Sequence, residues 1–337
     1  MTKRVERILR VLFGASVAAI IITAGAFTYY AAGEIEIGPT PVQFSLRKGS
    51  SLRSAAQQME GAGMLQHPAL FIAMARMLGE AGNIKAGIYE VSGRVSPYQL
   101  LLKITEGDVT QATITFVEGW TFRQMRKLLD EHPAVKHDTR GLPDADILKR
   151  LAIEIASPEG LFFPDTFHFD VGSSDVLILR RAYRQMQSHL EAQWAGRAPD
   201  LPLASPYEAL ILASIVEKET GQGDDRPLVA AVFVNRLRKG MLLQADPTVI
   251  YGMGEAFDGN LRKRDLTTDT PYNTYTRTGL PPTPIAMPGL SSLAVTLNPP
   301  ASNVLYFVAK GDGSSHFSST LGEHERAVTK YQRSGRR

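Results

Sequence analysis

The hydrophobic pattern opens with one long uncharged run and then breaks into short segments. Val11 to Ala32 is VLFGASVAAIIITAGAFTYYAA, with no charged residue. As a helix at about 1.5 Å per residue it spans about 33 Å, close to the roughly 30 Å apolar core of a bilayer. Residues 33–41 (GEIEIGPTP) read as a short linker. Val42 to Leu46 then reads as a strand, with a turn at Lys48-Gly49. A helix is predicted from Ser50 or Ser51, because Leu52, Ala55, Ala56 and Met59 recur at three- and four-residue steps, and Gly61-Ala62-Gly63 should stop it. A second helix is predicted over Ala69 to Leu78 and a strand over Gly87 to Val91. Ser96 caps a third helix, with Pro97 at its first position, running to Ile104.

A weak internal echo follows. Lys48-Gly49-Ser50-Ser51-Leu52-Arg53 resembles Glu118-Gly119-Trp120-Thr121-Phe122-Arg123, each after a strand-like run (42–46 and 112–117) and before an amphipathic helix. This suggests two small α+β units in tandem. Beyond Ala145 longer helices are predicted: Asp175 to Trp194, Ser205 to Thr220 and Leu228 to Leu237. Residues 265–300, rich in Thr and Pro, read as irregular; Val304 to Ala309 reads as a buried strand, and Glu323 to Tyr331 as a closing helix. The fold class is therefore α+β, behind an N-terminal transmembrane helix.

Charge sharpens the reading of the N-terminus. The chain carries a net +3, and Lys3, Arg4, Arg7 and Arg10 against Glu6 account for all of it. The basic end therefore stays cytoplasmic by the positive-inside rule, and Gly33 onward lies outside. A cleaved signal peptide has the same charge order, with Ala31-Ala32-Gly33 as its cleavage site, but its apolar region is usually shorter. A charge-balanced body argues against nucleic-acid binding, which needs a basic face. The absence of Cys excludes disulfides and thiolate chemistry. The seven His are scattered and form no HExxH motif or i, i+4 pair, so no metal or cofactor is expected.

Ser205 to Gly221, SPYEALILASIVEKETG, holds the strongest candidate chemistry. Ser205, Pro206 and Glu208 form a helix start, and Gly221 should end the helix. Ala209 to Val216 is apolar on nearly every side, which marks a buried helix. On the helical wheel Glu217 lies between Leu210, Ala213 and Ser214, while Glu219 faces away from it. Burial and the negative helix end would both raise the Glu217 pKa, as a general acid requires. The alternative is a helix-end glutamate paired with Lys218 or an arginine. Two loops, 243–251 and 269–289, offer amide, carboxylate and phenol groups suited to sugars: Gln244, Asp246, Tyr251, Tyr272, Asn273 and Tyr275. Taken alone, either reads more readily as an ordinary structured loop.

Five ordered segments resemble the YceG-like endolytic murein transglycosylase (MltG) family: EGLFFPDTFHF at 159–169, LASIVEKETG at 212–221, LQADPTVIYG at 243–252, TPYNTYTRTGLPPTPIAMPG at 270–289 and YFVAKGDGSSHFSSTLGEHERAV at 306–328. One departure is Glu325, where the family often has Asn. The resemblance implies a LysM-like subdomain at 42–109 and a mixed α+β catalytic domain at 110–337, after a cytoplasmic tail (1–10), the membrane helix (11–32) and the linker (33–41). It implies a bacterial inner-membrane protein with its catalytic domain in the periplasm. The expected activity cuts peptidoglycan glycan strands between N-acetylmuramic acid and N-acetylglucosamine, leaving 1,6-anhydro ends and terminating nascent strands. Glu217 matches the family's catalytic glutamate. Gln244, Asp246, Tyr251, Asn273 and Tyr275 are candidates for substrate positioning, with Asp246 the leading second carboxylate. Peptidoglycan synthases are candidate partners. A non-catalytic peptidoglycan-binding scaffold and a hydrolytic muramidase are the competing functions.

Overall fold

The computed structural model describes residues 3–47 and 49–333. It divides into two compact units, residues 1–112 with 168–172, and 113–167 with 173–337.

The first unit begins with helix α1 (Lys3–Ala32), whose segment Arg7–Ala32 is long and apolar enough to cross a membrane. Strand β1 (Ile35–Leu46), helices α2 (Leu52–Gly61) and α3 (Pro68–Met77), strand β2 (Gly87–Val95) and helix α4 (Pro97–Glu106) follow. β1 and β2 pair antiparallel, with Phe44 opposite Tyr89 and Ile35 opposite Val95. The Phe44 and Tyr89 rings stack 5.3 Å apart over a core that includes Leu52, Met59, Phe71, Leu100 and Ile104. The predicted helices form where the spacing places them, and Ser96 and Gln99 close a full capping box on α4.

The 33–41 segment differs from the expected linker. From Ile35 it is already strand, because Ile35 and Ile37 alternate with Glu34 and Glu36, and the odd positions are the more buried. Only Gly33 and Glu34 separate α1 from β1. Of the turn expected at Lys48-Gly49, Lys48 lies outside the described residues.

The division between the units falls within strands β3 (Gln111–Thr115) and β5 (Thr166–Asp170), which pair with each other. The second unit is mainly helical: α5 (Phe122–Glu131), α6 (Asp144–Leu151), α7 (Asp175–Ala195), α8 (Pro206–Glu219), α9 (Arg226–Arg238), α10 (Asp246–Met253), α11 (Lys263–Thr267), α12 (Leu290–Leu297) and α13 (Leu321–Val328). Short strands β4 (Val135–Lys136) and β6 (Ser173–Ser174) pair in parallel; β7 (Tyr306–Ala309) and β8 (Ser315–Ser318) pair antiparallel. The sequence echo reflects a shared helix start: Ser51 and Thr121 adopt the same extended geometry and cap α2 and α5 alike.

Helix α8 sits among α7, α9, α10 and α12, and every residue from Ala209 to Val216 is buried. Ser205 Oγ caps it by accepting from the Glu208 N–H, while the Glu208 carboxylate accepts from the Ala204 N–H at 2.6 Å. The helix stops at Thr220, which turns extended one residue before the expected Gly221. Helix α12 contradicts the irregular reading of 265–300. Leu290, Leu293 and Leu297 have helical spacing, and the nearby prolines masked it.

Candidate active site

Glu217 lies in the last turn of α8 with its side chain only 6% exposed. Its Oε2 accepts from the Gly289 N–H at 3.0 Å and from Ser292 Oγ at 2.7 Å. Gly289 is the N-cap of α12 and Ser292 stands in its first turn. The carboxylate therefore meets the positive end of a second helix, where free N–H groups point outward. That offsets the negative end of its own helix, a contact invisible in the local sequence. Arg226, at the start of α9, places Nη2 3.7 Å from Glu217 Oε1. The alternative reading of Glu217, a helix-end glutamate paired with an arginine, therefore has its partner in Arg226.

The carboxyl group placed beside this cluster is Glu118. A Cβ on residue 289 would overlap the Glu118 carboxyl, so glycine there lets Glu118 lie against the α12 start. Burial raises the Glu118 pKa, Glu217 raises it further, and Arg226 opposes both. The loop carrying Glu118 is pinned by paired backbone bonds of 2.8 Å, from Gly119 N–H to Met287 O and from Met287 N–H to Trp120 O. Lys218 Nζ donates to Gly119 O at 3.2 Å. The 285–289 segment is strapped along α8 at two points one turn apart. Ile285 N–H donates to Ser214 Oγ at 3.0 Å, and Gly289 N–H donates to Glu217.

A cleft of about 730 Å³ is lined by Phe122, Glu159, Lys218, Tyr251, Tyr272 and Ile285 among others; Lys218 is the chain neighbour of Glu217, which does not itself line the cleft. Tyr251 and Tyr272 meet edge to face at 5.0 Å. The Tyr251 hydroxyl donates to Glu159 Oε2 at 3.1 Å, and the Phe122 N–H donates to Oε1 at 2.9 Å. Burial nevertheless lifts the Glu159 pKa to about 7 and pushes the Tyr251 phenol up.

The other candidates gather at a second cluster. Asp246 accepts from the Tyr275 hydroxyl at 2.5 Å. Gln244, with φ +51°, accepts from Arg236 Nη1 through its Oε1 at 3.2 Å, and its N–H donates to Thr274 O at 3.0 Å. Asn273 is fully buried: its Nδ2 donates to the carbonyls of Asp265, Leu266 and Thr268, and its Oδ1 accepts from the Tyr275 N–H. Its amide shapes the loop that presents Tyr275. Glu219 turns to this side with an Oε2 that is sealed from solvent and has no hydrogen-bond partner. Burial raises its pKa to about 7, Asp246 pushes it the same way, and Arg236 opposes both.

The structure thus brings Glu217 together with Glu118, Arg226, Gly289 and Ser292, which the sequence reading did not single out. It groups Asp246, the expected second carboxylate, with Glu219 and Tyr275. Glu118 stood in the echo motif but was read there only as part of a turn. Ser292 was hidden with the whole of α12. Arg226 had no local signal, because its meaning comes from the packing of α9 on α8.

The chain matches the YceG-like family over residues 44–330. It is 32% identical to a protein of Bacillus subtilis (strain 168) named endolytic murein transglycosylase, over 92% of this chain and 91% of that one. A protein of the same name from Streptococcus pneumoniae serotype 2 is 26% identical, covering 86% of this chain and 58% of that longer one. A solved YceG-like protein from Listeria monocytogenes superposes with a TM-score of 0.52 at 30% identity, covering 85% of this chain and 98% of that one. A match that begins at Phe44 in β1 and ends at Lys330, past α13, takes in both compact units, and on that extent the chain belongs to the YceG-like family.

Proposed function

We propose that the chain is a membrane-anchored endolytic murein transglycosylase that uses Glu217 as its acid and base. The observation that carries this reading is the buried Glu217 carboxyl, oriented by Gly289 and Ser292 and followed in the chain by the cleft-lining Lys218, in a chain of this family. Glu118 and Glu217 both lie near the Arg226 guanidinium; partial burial and the Glu217 charge favour the protonated form of Glu118, and Arg226 opposes both.

Hydrolytic glycosidases generally need two carboxyl groups with separate roles. A transglycosylase uses one twice. Glu217 protonates the glycosidic oxygen between N-acetylmuramic acid and N-acetylglucosamine as that bond breaks. The substrate's own N-acetyl group stabilises the charge developing at muramic C1. The ionised Glu217 then takes the proton of the muramic C6 hydroxyl as that oxygen attacks C1. The product is a 1,6-anhydro end, and no water is consumed. Ser292 and Gly289 hold Oε2 throughout, which keeps the carboxyl in one orientation during both transfers.

Tyr251 in the cleft, and Gln244, Asp246 and Tyr275 at the second cluster, position the sugar rings, with Asn273 acting through the loop that carries Tyr275. The α1 segment anchors the protein in the inner membrane with its basic end cytoplasmic. Residues 42–109 form the LysM-like subdomain and 110–337 the periplasmic catalytic domain, which terminates nascent strands near the synthases.

Purified full-length protein incubated with peptidoglycan sacculi tests this directly. Anhydro ends, lost in the Glu217→Gln variant, are the expected result. Reducing ends would make the protein a muramidase, and binding without release would make it a scaffold.

A further inference from the structure

Helix α3 is apolar on the side that faces away from its own domain. Its sequence PALFIAMARM holds one charge, Arg76. Phe71, Met74 and Ala75 fill the core of the first unit. On the opposite side Leu70 is 50% exposed, Met77 is 65% exposed, and Leu78, just past the helix end, is 42% exposed. Ala69 and Ala73 are exposed with them. Residues 70, 73 and 77 are three and four apart, so they form one stripe along the helix. A water-facing helix of this kind ordinarily carries polar residues there.

The same helix starts at the outer end of α1. The Tyr30 hydroxyl donates to the carbonyl of His67, the N-cap of α3, at 3.2 Å. Phe27, Tyr30 and Ala31 pack on the core of this unit, and α1 contacts both α3 and α4. The membrane helix acts as a ruler. Counting about 1.5 Å per residue from Val11, the first residue after the basic segment, a core of about 30 Å is crossed near Tyr30. Whatever binds Tyr30 therefore lies at headgroup depth.

We infer that α3 is an interfacial helix whose Leu70–Ala73–Met77 stripe lies in the outer surface of the bilayer. This rests on the reading of α1 as a membrane anchor. The occupant of the stripe is lipid, because the stripe continues from the anchor itself. Its composition suits that place: apolar side chains with a single arginine for the headgroups. With only Gly33 and Glu34 between α1 and β1, the first unit has no slack to lift α3 away. Two helices thus fix this unit against the membrane, where one would leave it free to swivel.

The chain has no Cys, so each introduced cysteine is a unique label site. Nitroxide labels would be placed singly at Leu70→Cys, Ala73→Cys and Met77→Cys, in full-length protein in phosphatidylethanolamine and phosphatidylglycerol nanodiscs. Ala19→Cys in the middle of α1 and exposed Ser45→Cys, near the far end of β1, are the references. Collision rates with oxygen, which enriches in lipid, and with a soluble nickel chelate are the readouts. The inference expects labels at 70, 73 and 77 to be several-fold more accessible to oxygen than to nickel, as at 19, with the reverse at 45. Ala73→Cys is small enough to leave packing intact if the larger changes disturb it. Labels at all three positions that read like Ser45→Cys would overturn the proposal. Exclusion of both reagents there would also overturn it, in favour of a second copy or another protein on the stripe. A water-exposed Ala19→Cys would instead bring down the anchor reading and this inference with it.

Discussion

Glu217 and Glu219 are separated by one residue, and both turn their carboxyl groups away from water, yet they are held in opposite ways. Glu217 accepts two hydrogen bonds from the start of α12 and faces the Arg226 guanidinium. Glu219 has one oxygen sealed without a partner and lies near another acid, Asp246. The first setting orients a carboxyl in a single pose and compensates its charge. The second favours the protonated form and offers little to hold the group in place. Burial alone therefore does not mark a catalytic acid; the distinction lies in the donors that aim it.

The sharpest way to break this contrast is to remove the titrating group at each position. Glu217→Gln keeps the shape and deletes the proton, so release of anhydro ends should fall at least about 100-fold, with the thermal melt of the variant still cooperative. An equal loss in Glu219→Gln would erase the distinction. Next in size is Arg226→Gln. It removes the cation that faces buried Glu217 and lies near Glu118, so activity should drop by about tenfold or more. Losing one partner of a buried charge cluster should also cost about 3 kcal/mol at neutral pH. Protonation of a carboxylate left without its cation relieves that loss, so the loss should be smaller at pH 5 than at pH 8, and denaturation at the two pH values checks the sign. Ser292→Ala is milder. It removes one charge-assisted hydrogen bond of about 1.5–3 kcal/mol, so kcat should fall about tenfold with KM nearly unchanged. A change confined to KM would show that Ser292 touches substrate instead of aiming Glu217.

The halves of this site differ in how far local sequence reveals them. Helix α8 was legible because its cap, its all-round apolar pattern and the position of Glu217 on the wheel are properties of one short segment. So were α2, α3, α4 and α7, whose helical spacings, and in α2 and α4 the caps, are local. What surrounds Glu217 was not. Gly289 and Ser292 come from 72 and 75 residues further along the chain, and Glu118 from the loop before α5. Their meaning depends on how α12 and the 118–120 loop dock on α8. The wheel also placed Glu219 correctly with respect to Glu217, but could not say that α10 and the Tyr275 loop would cover it. In the first unit the Ile–Glu alternation of 34–37 was present to be read as strand. A neighbouring Gly-Pro-Thr-Pro run argued for a linker and hid it.

The smallest expected effect on activity, and the one that tests the second setting on its own terms, comes from Glu219→Gln. The folded-state pKa of Glu219 is raised to about 7, above the ordinary value of 4.5. The folded state therefore holds its proton over a range where the unfolded chain has released it. Stability from this group is full below about pH 4.5, declines as pH rises, and is lost once pH passes about 7. Stability falls by about 1.4 kcal/mol for each pH unit between those two values, so the whole decline amounts to as much as about 3 kcal/mol. Glu159, also raised to about 7, adds a decline of the same sign. Glutamine at 219 cannot ionise, so the variant should lose the Glu219 share of this slope and keep the Glu159 share. At pH 5 the amide replaces a neutral acid and adds a buried donor beside Arg236, so the variant should be equal to or about 1 kcal/mol less stable than the parent. At pH 8 it should be the more stable of the two, with activity within about threefold. The crossing of the two melting curves between pH 5 and pH 8, measured on the full-length protein in detergent, is the expected signature. Parallel curves would mean that Glu219 is ionised in the folded protein at neutral pH, held by Arg236 as Glu217 is by Arg226, and the contrast between the two glutamates would collapse.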